Sequence, residues 1–81
     1  MGVRVLYFAS FRDVSGRESE ERALPAGGRV GDLWRELVAE MPGLARTGSP
    51  PPAAVNSRYT RHDAQLAEGD EVALLPPVAG G

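Results

Sequence analysis

The chain has 81 residues, 42% of them apolar and 25% charged, with a formal net charge of −2. That length accommodates one domain, and the composition is that of an ordinary globular protein rather than a disordered one. Cysteine is absent and His62 is the sole histidine. No disulfide framework or cysteine nucleophile is therefore available, and no metal site is expected. The slight negative charge argues against a nucleic-acid partner. No apolar run approaches the ~18 residues that would cross a bilayer, so no membrane partner is expected. A strand-like pattern begins at Val3 with no signal peptide before it, so the expected location is cytoplasmic. All nine basic residues are arginine, which coding bias suffices to produce.

Val3-Arg4-Val5-Leu6-Tyr7-Phe8 is rich in β-branched and aromatic residues and reads as a strand. Val3, Val5 and Tyr7 share one face; Arg4, Leu6 and Phe8 share the other. Both faces are largely apolar, which predicts a central strand covered at least in part on both sides. Residues 9–17 contain Asp13, Ser15 and Gly16 and read as a turn. Residues 18–24 read as a more polar strand, joined to the first as an antiparallel hairpin. Pro25-Ala26-Gly27-Gly28 breaks it.

Residues 30–41 carry the clearest helix. Val30, Leu33, Trp34, Leu37, Val38 and Met41 form one continuous stripe at helical spacing. Pro42-Gly43 ends it, and Arg29 is a poor N-cap. Residues 44–52 read as a loop. Ala53-Ala54-Val55 reads as a short buried strand, Asn56-Ser57-Arg58-Tyr59 as a turn into a brief return strand, and residues 62–66 as one helical turn. Glu68-Gly69-Asp70 is a turn, and residues 71–75 form the last strand before Pro76-Pro77 ends pairing. The order predicts an α+β roll: a mixed sheet of four to five strands, one main helix on one face, and the first and last strands paired in parallel at the centre. Residues 1–75 would be the domain and residues 76–81 a flexible tail.

The search for an internal active site comes back nearly empty. No serine has a nucleophile-elbow context. Glu20-Glu21 reads as a solvated strand face, Asp70-Glu71 as turn chemistry, and His62-Asp63 as a polar loop. Gly27-Gly28 lacks the phosphate-loop spacing. The remaining candidate is the end of the sequence, where a stiff diproline precedes Val78-Ala79-Gly80-Gly81. Glycine has no Cβ and approaches another backbone closely, so a Gly-Gly end can enter a channel that excludes branched residues.

The stretch Gly69-Asp70-Glu71-Val72-Ala73-Leu74-Leu75-Pro76-Pro77-Val78-Ala79-Gly80-Gly81 resembles the end of the small, sulfur-carrying subunit of molybdopterin synthase. Val3-Arg4-Val5-Leu6-Tyr7-Phe8-Ala9 and Ala54-Val55-Asn56 are similar too. The resemblance runs the length of the chain and is weakest over residues 43–52. A diproline before Val-x-Gly-Gly is fairly specific to this subunit. The thiamine-pathway carrier shares the fold and the Gly-Gly but usually not the diproline.

The resemblance implies a β-grasp, ubiquitin-like roll and a carrier cycle. An ATP-dependent activating enzyme would adenylate Gly81, and a sulfur donor would convert the adenylate to a thiocarboxylate. The tail, with Gly80, Val78, Pro77 and Pro76, would then thread into the large synthase subunit, and sulfur would pass to cyclic pyranopterin monophosphate. The resemblance further implies a heterotetramer, no cofactor bound by this chain, ATP used only by the activating enzyme, and catalytic residues on the large subunit. Whether a sulfur-donating subunit without catalytic groups counts as an enzyme stays open.

Docking needs a surface. With Val3, Val5 and Tyr7 toward the helix, Leu6 and Phe8 lie on the opposite face, Leu75 joins them and Tyr59 flanks the patch. An apolar patch of this kind marks an interface, and the resembled family docks through this face. The competing expectation is that Phe8 and Tyr59 complete a small core. Three further classes stay open: a sulfur carrier for thiamine, tRNA thiolation or cysteine synthesis; a ubiquitin-like protein modifier; and an interaction module with an inert end.

Overall fold

The computed structural model describes residues 1–48 and 50–76. Strand β1 (Gly2–Tyr7) is followed by helix α1 (Ala9–Ser15), β2 (Ser19–Ala23), helix α2 (Val30–Glu40), a 3-10 helix (Pro42–Thr47), β3 (Ala53–Val55), β4 (Arg58–Thr60) and β5 (Glu71–Leu74). One mixed sheet runs β2-β1-β5-β3-β4. β1 pairs antiparallel with β2 and parallel with β5, so the expected central parallel pair is present. The tail expected at residues 76–81 falls, beyond Pro76, outside the described residues.

The core lies between the sheet and α2. Val3, Val5 and Tyr7 of β1, together with Val72 and Leu74 of β5, meet Val30, Leu33, Trp34 and Leu37 of α2 in one buried cluster. The alternation in β1 and the stripe in α2 select these residues. The opposite face of β1 is less covered than expected: Leu6 is half-buried and Arg4 exposed.

Residues 9–15 form a helix where a turn is expected. Phe11 is buried in the core, with its ring centroid 5.7 Å from that of Trp34. Gly16, at φ 75°, ends the helix and donates its N–H to the Arg12 carbonyl; only glycine takes this left-handed position cheaply. Asp13, Ser15 and Gly16 thus mark the helix end rather than a loop. Part of the expected 44–52 loop is also helical, since Pro42 opens the 3-10 segment, where a missing N–H costs nothing.

Residues 62–66 do not form a helical turn. The Ala64 N–H donates to the Arg61 carbonyl at 3.1 Å, closing a tight turn, and Gln65 makes an isolated bridge with Arg29. This segment completes the start of α2: the carbonyls of Ala64 and His62 accept the N–H groups of Val30 and Gly31 at 3.0 and 2.8 Å. A Cβ on Gly31 would lie 3.2 Å from the His62 oxygen, so glycine permits the approach. Arg29 offers no side-chain cap. Asp32 compensates by accepting the Arg29 N–H at 2.8 Å, and that bond, with Arg35 nearby, holds its carboxyl below the usual range.

Candidate functional site

The sheet face turned away from α2 is built by register. Leu6 is level with Ala73, Ala73 with Ala54, and Ala54 with Tyr59. This row crosses four strands, with two small alanines between Leu6 and Tyr59. Ala54 is 8% exposed yet lies outside the helix-side core, whereas Tyr59 is 79% exposed. The neighbouring row toward the start of β1 is charged: Arg4 is level with Glu21 and Glu71 and pairs with Glu21 at 3.7 Å. The outer face therefore grades from charged to apolar along β1.

The apolar end is where the chain leaves the sheet. Because β1 and β5 are parallel, their carboxyl ends share an edge, with Tyr7 level with Leu74. Phe8 follows β1 and is 44% exposed; its carbonyl accepts the N–H groups of Phe11 and Arg12 at 3.0 and 3.3 Å, which starts α1. Leu75 follows β5, half-buried, and donates its N–H to the Pro52 carbonyl at 3.0 Å. Pro76 has no N–H to extend the ladder. The fold thus brings Leu6, Phe8, Leu75 and Pro76 to one edge, with Tyr59 farther along the same face. The exposure of Phe8 and Tyr59 shows that they do not complete the core. Gly81, Gly80, Val78 and Pro77 lie outside the described residues.

The helix-facing side of β2 holds a second feature. Glu20 and Arg22, level with Val5 and Val3, point toward α2 with side chains 13% and 11% exposed. Arg22 bonds Glu20 at 3.4 Å and Glu36 at 3.1 Å, and also pairs with Glu40. Glu20 accepts the Tyr7 hydroxyl at 2.5 Å. Burial, with that bond second, pushes the Tyr7 hydroxyl well above the ordinary tyrosine range; Arg22 holds the Glu40 carboxyl below its usual one. Glu20 is therefore not part of a solvated face; only Glu21 is. Inward-pointing charges protect an edge strand from unwanted pairing, so this cluster is structural. His62 bonds the Pro51 carbonyl through Nε2 at 2.6 Å. Among the described residues, no group of three or more histidine, aspartate or glutamate side chains could hold a metal ion, and no helix is long and apolar enough to cross a membrane.

Sequence reading missed the row that Ala54 and Ala73 form with Leu6 and Tyr59. Its only signal was that alternation places both alanines opposite the core, and that needs the register to interpret. A five-stranded mixed roll, with a parallel central pair, one long helix across one face and an open apolar face beside the exiting chain, is the ubiquitin-like β-grasp architecture.

The chain belongs to the ThiS family, whose family model matches residues 5–81. It is 37% identical to the molybdopterin synthase sulfur carrier subunit of Homo sapiens, over 98% of this chain and 93% of the human protein. It is 36% identical to the subunit of the same name from Chlamydomonas reinhardtii, over the full length of both. Small archaeal modifier protein 3 of Haloferax volcanii is also 36% identical, over the full length of both. Among solved structures, a Pyrococcus furiosus protein assigned to molybdopterin converting factor subunit 1 superposes with a TM-score of 0.85 at 36% identity, covering 96% of this chain and 99% of that one. A complex of subunits 1 and 2 of molybdopterin-converting factor from Helicobacter pylori contains a chain similar over the full length of both, with a TM-score of 0.69 at 27% identity.

Proposed function

We propose that this chain is the sulfur carrier subunit of a molybdopterin synthase. The observation that carries the reading is its end-to-end similarity to carrier subunits, in a family match that runs through residue 81. The chain holds no thiol, so mobile sulfur must ride on the Gly81 carboxyl group. In the proposed cycle a carboxylate oxygen of Gly81 attacks the α-phosphorus of ATP on an activating enzyme, and pyrophosphate leaves. Hydrosulfide released by a donor then attacks the Gly81 carbonyl carbon, forming a C–S bond and expelling AMP, and loss of its proton leaves the thiocarboxylate. The loaded end enters the large synthase subunit, guided by Pro76, Pro77, Val78 and Gly80, and gives its sulfur to cyclic pyranopterin monophosphate.

The apolar face of Leu6, Phe8, Leu75 and Tyr59 supports this reading, because it lies where the chain leaves the fold and is open to a partner. A large subunit seated there would complete a heterotetramer, with ATP bound by the activating enzyme and not by this chain. The cytoplasm, where such partners would meet it, is the proposed location.

The test is the intact mass of the chain after incubation with ATP, an activating enzyme and a sulfur source. Exchange of sulfur for oxygen at Gly81, followed by transfer to the pterin precursor, is the expected result. Full activity after deletion of Gly81 overturns the reading. An amide adduct on another protein, with no pterin product, assigns the chain to the modifier class instead.

A further inference from the structure

The chain changes direction abruptly between β1 and α1. Phe8 is the last extended residue, at φ −121° and ψ 151°, and Ala9 follows it at φ 47°. An ordinary helix start has φ near −63°, so this bond is turned about 110° away from that course. Among the described residues, the left-handed region is otherwise taken by glycines and by Asn56 and Ser57. Those two close the β3–β4 hairpin, where a left-handed pair matches the twist of the strands. Ala9 has neither a glycine's freedom nor a hairpin's need. Its Cβ crowds the backbone there, at a cost of roughly tenfold in the conformational equilibrium. The residue is exposed, so burial of its methyl does not offset that cost.

The conformation is imposed from both sides. Tyr7 is buried and donates its N–H to the Glu18 carbonyl at 2.8 Å. Phe11 is buried beside Trp34. Phe8, Ala9 and Ser10, between these anchors, are all exposed. With both ends fixed, a change of φ at Ala9 has to be absorbed by its two exposed neighbours. Phe8 feels it directly, because its carbonyl holds the Phe11 and Arg12 N–H groups that start α1.

We propose that Ala9 is a positioning residue for the docking face. Its left-handed backbone sends Phe11 back into the core while Phe8 stays extended and exposed at the edge where β1 ends. The folded chain bears the strain before a partner arrives, so Phe8 is presented without reorganisation on docking. This role rests on the docking proposed for Leu6, Phe8, Leu75 and Tyr59, and adds the residue that sets the orientation of Phe8.

The test replaces residue 9 in the full chain by D-alanine, through total chemical synthesis, and compares it with Ala9→Gly and Ala9→Val. D-alanine prefers positive φ as the mirror image of L-alanine, glycine takes it freely and a β-branched residue resists it. The folding equilibrium constant from urea titration is expected to rise about tenfold with D-alanine. It should rise less with glycine, whose unfolded chain is freer, and fall with valine. Amide exchange in the free chain reads the corner itself: relative to the amides of β1, those of Phe11 and Arg12 should exchange more slowly with D-alanine and faster with valine than in the parent.

Dissociation constants for the large synthase subunit read the consequence. D-alanine should leave Kd within about twofold of the parent. Ala9→Val and Phe8→Ala should each weaken binding roughly tenfold. Combined, they should bind no more weakly than Phe8→Ala alone, within about twofold, because valine acts through a ring that is then gone. Additive losses, parent-like binding by Ala9→Val, weaker binding with D-alanine, or a reversed order of stability or exchange overturns the inference. Parent-like binding by Phe8→Ala overturns it too, while leaving sulfur transfer from Gly81 to its own assay. If valine prevents folding, D-alanine and the exchange rates decide. A parent chain that does not bind the large subunit refutes the proposed synthase role, and the exchange rates still decide whether Ala9 holds Phe8 in place.

Discussion

The two faces of the sheet are drawn from the same strands and have opposite character. Toward α2, Val3, Val5, Tyr7, Val72 and Leu74 are all buried. Away from α2, the intervening Arg4, Leu6, Glu71 and Ala73 are half-buried or exposed. One face is closed by the chain itself and sets stability. The other is apolar beside the chain exit and, among the described residues, leaves Phe8 and Tyr59 exposed, which suits it to a partner. Substitutions should therefore separate folding from docking according to the face they touch.

The largest expected effect is on the closed face. Leu37 is fully buried there, and Leu37→Ala should cost about 2–5 kcal/mol through lost burial and the cavity left behind, read as a lower urea midpoint. A cost under about 1 kcal/mol would mean that the helix is not held as described.

Next comes the charged clasp. Arg22→Met leaves Glu20, Glu36 and Glu40 without their shared cation. The expected loss is about 2 kcal/mol, below that of a fully buried pair because Glu36 and Glu40 remain partly solvated. The clasp also sets an acid limit. Arg22 holds the Glu40 carboxyl below its unfolded value, so this stabilisation is present above that value, about 4.3. It is lost as pH falls through the lower folded value. Urea midpoints measured against pH should show a smaller acid decline in Arg22→Met than in the parent, and equal declines would remove the clasp from the account of acid stability.

The smallest effect on folding is expected on the open face. Phe8→Arg should change stability by less than about 1 kcal/mol, since the ring is already 44% exposed. It should nevertheless weaken capture of the large synthase subunit in a pull-down. Loss of the fold would return Phe8 to the core, and undiminished capture would move the docking surface elsewhere.

Much of the fold was legible because its signals are local. The stripe of α2 and the alternation of β1 each lie within one element, and the expected β1–β5 pair follows from the rule that parallel neighbours need a crossover. What was missed depended on distant partners. The 9–15 helix has one buried anchor, Phe11, whose place is set by Trp34 across the core, so its terminal Asp13, Ser15 and Gly16 dominated the local reading. Glu20 looked solvated until Arg22 and α2 were placed beside it. Residues 62–66 lack their own helical bonds because their carbonyls complete another helix.

The candidate site divides in the same way. The sequence alone determined the chemistry available: no thiol, no side-chain amine, and a diproline followed by Gly-Gly. It also determined which residues of β1 share a face, since a strand's side chains alternate whatever it pairs with. Only the tertiary structure decided that Leu6, Ala73, Ala54 and Tyr59 form one row and that Phe8 lies beside the departing chain. Those relations depend on register between strands far apart in sequence, where a shift of one residue would turn every side chain to the other face.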